Sequence, residues 1–374
     1  MSRTKRVKLC EEEEGQQLLP NLPDHLAYLC LSQVPARVLF SVCHSWRRLL
    51  YSPSFPPFLS VYALLSSSSS SLAADEERAE NETHLGFSSY DPISGAWHPL
   101  PSPAPDPRLG LILLRHPSFF NRRLPIQSVS LSGHLLLLAA TTHQLLPALP
   151  RPVIFSPVSN QWRLGPLMST GRRWCATGVA SGNVYVASGM GAEYNSQVAR
   201  SAERWDLNKP HWEEVAQLKD GKFSREAVEA VGCRGKLCMV NVNGNAAKEG
   251  AIYNVGKDQW EKMPRGMLGG WKGPAASMEE EALYVVDEAE GTLKVYKWET
   301  DEWRTVMESE HFKGASQMTA SGGKLCAVRA GGAGITVVDV VAQPPRIWVV
   351  EPPSGTRVVA VHVLPRMSRP DTQD

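Results

Sequence analysis

The 374-residue chain is poor in several features that would narrow its function at once. No apolar run exceeds six residues (Leu135–Ala140). A membrane helix needs roughly 20, so no membrane partner is expected. Met1–Leu9 is basic but has no apolar core, which argues against a secretory signal. The seven cysteines are odd in number and form no Cys-x-x-Cys; Cys233 and Cys238 are the one close pair. Free thiols in a reducing compartment follow, so a nuclear or cytoplasmic location (or both) is expected. Charge of one sign is also missing. With 39 Lys+Arg against 38 Asp+Glu, the net charge is +1, and no basic field exists to hold nucleic acid. Gly-x-Ser-x-Gly, His-Glu-x-x-His and the Gly-x-x-x-x-Gly-Lys-Ser/Thr phosphate loop are all absent, and the ten histidines are scattered singly. No catalytic residue, metal or cofactor is therefore expected.

What is present is turn-rich and unusually rich in tryptophan: 29 Gly, 28 Pro and 11 Trp in a chain that is 43% apolar. Residues 1–17 read as a disordered charged tail. Its Lys5–Leu9 stretch fits a short import signal or, equally, a solvated run cancelled by Glu11–Glu14. Residues 18–57 carry helical spacing. Leu39, Val42, Cys43, Trp46, Leu49 and Leu50 fall on one face of a single helix, which Pro53 ends. Leu26, Leu29, Cys30 and Val34 mark a shorter helix opened by Pro23-Asp24. Two such helices cannot bury both faces alone and must pack on the rest of the chain or on a partner. Ser66–Ser71 begins a low-complexity loop over 66–83 that interrupts a sheet.

From there the chain repeats. An aromatic residue precedes a Trp by seven positions five times: Tyr90/Trp97, Phe155/Trp162, Trp205/Trp212, Tyr253/Trp260 and Tyr296/Trp303. Turn formers lie between, as in Asp91-Pro-Ile-Ser-Gly95, so each unit reads as a strand, a tight turn and a returning strand. A weaker sixth copy joins Val337–Asp339 to Trp348. Upstream of the units lie apolar strand pairs with turns such as Ser132-Gly133 and Ser181-Gly182. Four strands repeated at this period predict propeller blades, six of them over 58–365. Arg357–Leu364, left over at the end, is expected to supply the inner strand of the first blade and close the ring. Residues 366–374 then read as a disordered tail.

Two resemblances fit these segments. Leu22-Pro23-Asp24-His25-Leu26, Val34-Pro35 and Val42-Cys43-His44-Ser45-Trp46-Arg47-Arg48-Leu49-Leu50 together resemble an F-box. The Trp units resemble degenerate kelch repeats, with the double glycine intact only at Gly331-Gly332. The whole chain is similar to plant F-box/kelch-repeat proteins that interact with the Skp adaptor. The expected fold is an all-β six-bladed kelch-type propeller preceded by a small α-helical F-box. The resemblance implies a substrate-recognition subunit of a Skp–cullin–F-box ubiquitin ligase. The F-box would dock a Skp-type adaptor, and through it the cullin and RING subunits, while the propeller would bind an unidentified target protein. By motif match, Leu22, Pro23, Leu26, Val42, Cys43, Trp46 and Leu49 form the adaptor-contacting or supporting set. A kelch-type enzyme and a scaffold without degradation are the alternatives.

A second pattern sits in the propeller loops. Nine to thirteen residues after most blade tryptophans, a basic residue stands beside an aromatic: Arg172-Arg173-Trp174, Lys222-Phe223 with Arg225, Trp271-Lys272 and Phe312-Lys313. Arg108 holds the same place without its aromatic. In a ring these loops converge on one rim. Arg108, Arg173, Trp174, Arg225, Trp271, Lys272 and Lys313 are the candidate target-binding residues, suited to an acidic or phosphorylated segment. The competing reading is that the aromatics plug gaps between blades and the cations are solvated loop charges.

Overall fold

The seven-residue spacing from aromatic to Trp is the span of a β-hairpin. In the computed structural model, which describes residues 18–68, 83–102, 126–142, 144–225, 227–243 and 248–368, Tyr90, Phe155, Tyr253 and Tyr296 stand directly opposite Trp97, Trp162, Trp260 and Trp303. Ring centroids lie 5.0–5.3 Å apart in these pairs and 5.6 Å apart for Trp205/Trp212. The hairpins are the outer halves of six four-stranded antiparallel sheets. The inner strand of blade 1 is Thr356–Pro365, paired with Leu59–Ser68. The chain's last strand thus closes the ring, as its leftover position suggested. Blades 2 to 6 begin with Ile126–Leu131, Ala176–Ala180, Ala227–Cys233, Ala275–Met278 and Gln317–Ser321. These six inner strands touch one another in a closed cycle around a central channel.

In blades 2 to 6 the inner strand turns into its neighbour through two residues at positive φ, the hairpin geometry whose twist matches the strands. Ser132-Gly133, Ser181-Gly182, Arg234-Gly235 and Gly322-Gly323 satisfy this with glycine. Blade 5 instead uses Glu279-Glu280, at φ 51° and 57°. Its strain is offset by bonds to other blades. The Glu279 carboxylate accepts the Gly322 N–H (2.7 Å), and the Glu280 carboxylate accepts the Ser181 N–H (2.7 Å). The apolar run Leu135–Ala140 is the second strand of blade 2 and is buried at every position, since neighbouring blades cover both its faces.

The repeated Trp has a second use. Trp97, Trp162, Trp212, Trp260 and Trp303 each donate Nε1–H to a carbonyl in the connection leading into their own blade: Glu351, Pro101, Pro166, Ala216 and Met267, at 2.7–3.3 Å. Every seam but one is stapled this way. In blade 6, Trp348 stands opposite Val337 and is 41% exposed.

The N-terminal segment differs from its periodicity reading. It forms three helices: α1 (Asp24–Ser32), α2 (Ala36–Val42) and α3 (His44–Tyr51). The single helix expected over 39–50 breaks at Cys43, which is extended (φ −156°, ψ 168°). Arg47 stabilises the break. Its guanidinium donates to the Phe40 carbonyl at the end of α2 and lies 4.8 Å above the Phe40 ring. The helices pack on blade 1, with Leu31, Leu39, Leu50, Tyr51 and Phe55 forming one core with Ile93 of the blade's outer turn. Tyr51 Oη–H donates to the Asp91 carboxylate. The expected tail at 366 is also corrected at its start. Arg366 is buried and donates to the carbonyls of Tyr51 (3.2 Å), Ser52 (2.8 Å) and Phe55 (3.1 Å), fastening the helices to the closing strand. Ser66–Ser68 pair as strand rather than loop. Lys5–Leu9, Ser69–Ser71 with the rest of the serine-rich insertion, and Arg108 lie outside the described residues. Six cysteines are described, all as free thiols.

Candidate functional site

Strand polarity gives the wheel two distinct faces. Connections between first and second strands and between third and fourth strands lie at one end. Second-to-third connections and links between blades lie at the other. The helices bond to Asp91 and Arg366, both at the first end. The loops carrying the basic-aromatic pattern all lie at the second. The two candidate sites therefore occupy opposite faces.

At the helical end, four large apolar side chains stay open within twenty residues: Leu26 and Leu29 on α1, Val38 and Val42 on α2, each 42–59% exposed. Leu26/Leu29 and Val38/Val42 are i, i+3 and i, i+4 neighbours, so each pair shares a helix face. The break at Cys43 releases Val42 from the buried face of α3. Pro23 and Cys43 are exposed beside them. Trp46 and Leu49 belong to the helix core instead; Trp46 is half-buried and donates Nε1–H to the Leu18 carbonyl (2.8 Å). Leu22 is half-buried at the turn before α1, its N–H on the Leu19 carbonyl (3.2 Å). The expected adaptor set thus divides into presented residues (Pro23, Leu26, Val42, Cys43) and supporting ones (Leu22, Trp46, Leu49). Leu29 and Val38 were missed as candidates, because Leu29 reads as core by periodicity and Val38 lies outside the stripe.

The rim is less cationic than its sequence. Arg172 is fully buried; it pairs with the buried Glu203 and donates to the Ser188 carbonyl (3.2 Å) and Ser201 Oγ (3.1 Å). It ties the loop into blade 3 rather than presenting a charge. Lys222 pairs with Glu249 (3.0 Å), Lys272 with Asp287 (3.4 Å) and Glu290 (3.8 Å), and Lys313 with Glu310 (2.8 Å). Trp271 has no exposed surface; its Nε1–H reaches Glu229 (3.2 Å) and its ring packs on Trp303. Phe223 and Phe312 are buried too. These aromatics fill space between elements. The side chain of Arg225 lies outside what is described.

Arg173 is the exception. Only 7% exposed, its guanidinium carbon sits 4.3 Å from the Trp174 ring centre. Its Nε and Nη1 are covered and have no acceptor among the described residues. Burial pulls its pKa down from the usual guanidinium value. Trp174 is buried and held at φ 54°, in the left-handed region that non-glycine residues seldom occupy. Below the rim, a channel cavity of ≈ 620 Å³ is lined by inner-strand residues including Gln127, Thr177, Glu229, Gln317 and His362. His362 is fully enclosed and bonded through Nε2 to Ser128 Oγ (2.9 Å); burial lowers its pKa to about 4, so its ring is neutral.

No protein-family model matches the chain. It is 50% identical over 379 residues to the F-box/kelch-repeat protein SKIP25 of Arabidopsis thaliana, covering 98% of this chain and 94% of that protein. Two further Arabidopsis relatives are more distant. The F-box/kelch-repeat protein At2g44130 is 26% identical over 67% of this chain and 66% of its own length. The F-box/kelch-repeat protein At1g16250 is 28% identical over 59% of this chain and 56% of its own length.

Proposed function

The chain belongs to the F-box/kelch-repeat family, and from that premise we propose that it is the target-receiving subunit of a Skp–cullin–F-box ubiquitin ligase. The helices dock a Skp-type adaptor through Leu26, Leu29, Val38, Val42 and the flanking Pro23 and Cys43. The opposite rim holds the protein to be modified. In this reading the chain makes no covalent bond itself. It raises the effective concentration of target at the ligase, an effect that needs both ends to be occupied at once. The reading also assigns the chain to the cytoplasm, the nucleus or both, with Lys5–Leu9 as the candidate import run.

The observation that carries the proposal is the row of open apolar side chains on α1 and α2. Isolated exposed apolar side chains are ordinary, but two leucines and two valines within two short helices, beside a well-packed core, fit an interface awaiting its partner. Exposure also allows a clean test. A Trp46 substitution would damage the helix core and weaken docking indirectly. Leu26→Glu with Val42→Glu changes only open positions. The double variant should lose adaptor affinity by roughly 100-fold, about 3 kcal/mol, with its melting temperature unchanged. The measurement is titration of purified Skp-type adaptor against both proteins. Retained affinity would move the docking surface elsewhere.

A further inference from the structure

Three connections interlock on the rim over blades 2 and 3: 144–152, 165–175 and 188–201. The Met168 N–H donates to the Pro150 carbonyl (3.2 Å), and Arg173 and Met190 exchange both backbone bonds (2.8 and 2.9 Å). Among the described residues, every exposed large hydrophobic in a rim connection lies on these three: Leu146, Leu167 and Tyr194. The same loops carry Arg173, the one described candidate rim cation without a carboxylate. On blades 4 to 6 the candidate lysines Lys222, Lys272 and Lys313 are already paired with Glu249, Asp287, Glu290 and Glu310, Lys248 donates to the Trp271 carbonyl, and the connection cations Lys219 and Arg265 are solvent-exposed rather than buried.

We propose that the target is gripped at this sector alone, by an Asp or Glu side chain seated on Arg173 between apolar residues that cover Leu146, Leu167 and Tyr194. The assignment rests on the reading of the rim as the target-holding face. Charge balance selects the carboxylate. A phosphoserine brings a charge of about −1.5 to −2, and Arg173 can neutralise one unit. Arg172, next in sequence, is committed to Glu203. The remaining negative charge would be desolvated without a partner, which is strongly unfavourable. A carboxylate monoanion matches the charge of the single guanidinium, and a charge-assisted bond to it is stronger than a neutral one. Pairing also relieves the cost of holding that cation buried and unsatisfied.

The test pans the full-length chain against three synthetic peptide libraries that differ only at a fixed central residue: Glu, phosphoserine or Gln, each between randomised flanks. The Glu library should yield binders with apolar flanks. For the best of them, Arg173→Met should weaken binding about 30-fold, and Leu167→Ser with Tyr194→Ser, at open positions that leave folding intact, should weaken it about tenfold. Lys272→Gln and Lys313→Gln should leave it unchanged. Preference for phosphoserine overturns the carboxylate assignment. Equal losses in the Lys272 and Lys313 variants overturn the sector. The underlying reading fails separately: if cross-linking of cellular partners to the full chain maps none to the rim connections of any blade, the rim does not hold the target and this proposal falls with it.

Discussion

The helical end and the rim end leave different chemistry unfinished. On α1 and α2 the open groups are apolar, and the polar groups nearby are satisfied: Trp46 on the Leu18 carbonyl, Arg47 on the Phe40 carbonyl. On the rim Lys222, Lys272 and Lys313 are closed into internal pairs, and the Arg173 Nε and Nη1 over blade 3 have no acceptor among the described residues. Apolar burial is non-directional and suits tight docking of a constant partner. A buried cation discriminates, because only a matching anion compensates it. Under the proposed function, one adaptor and a chosen target call for these two kinds of surface, and the wheel carries them on opposite faces.

The comparison breaks if rim charges are interchangeable, and the two neighbouring arginines put this to the test. Arg172→Ala strands the buried Glu203 carboxylate and should cost about 3–5 kcal/mol in urea unfolding. A loss below 1 kcal/mol would mean the pair is not structural. The body between the two ends should also lose stability in acid. His362 is neutral in the folded protein, with a pKa near 4 against 6.5 when unfolded. Its contribution is whole above pH 6.5, is lost as pH falls toward 4, and changes no further below that. Between pH 7 and 4.5 it should amount to roughly 2–3 kcal/mol of unfolding free energy, the part of the acid sensitivity that His362→Gln removes.

The blade seams give a smaller effect. Trp260→Phe removes the donor to the Ala216 carbonyl and should cost about 1 kcal/mol. Trp348→Phe, at the unstapled blade, should fall within about 0.5 kcal/mol of wild type. Equal costs would show that the seam bonds are incidental. Smallest of all is Arg173→Met. Removing a buried cation that has no carboxylate should leave stability within about 0.5 kcal/mol, against the large loss at Arg172. That contrast in unfolding midpoints separates a residue kept for folding from one kept for binding.

Much of the architecture was legible in the sequence because it repeats. Five aromatic-to-Trp spacings imply five hairpins, and the leftover strand at 357–364 implied closure with blade 1. Single-residue events were not legible. Nothing in the spacing of Leu39 to Leu50 signals that Cys43 turns extended, and that one change moves Val42 from core to surface. Nor could the rim's neutralisation be read. Lys222 meets Glu249 and Lys272 meets Asp287 across loop and hairpin, pairings that only the folded register brings together. Leu146, Leu167 and Tyr194 stand alone in loops, where an apolar residue carries no periodic signal.

The central claim is that the two faces act together, one holding a ligase and the other its target. It is tested most directly by the turnover of proteins cross-linked to the rim, followed by pulse-chase in cells carrying either the wild-type chain or the Leu26→Glu, Val42→Glu variant. The account predicts that these partners still bind the variant and live several-fold longer with it. Identical half-lives would contradict it and leave the wheel a binding platform with no role in degradation.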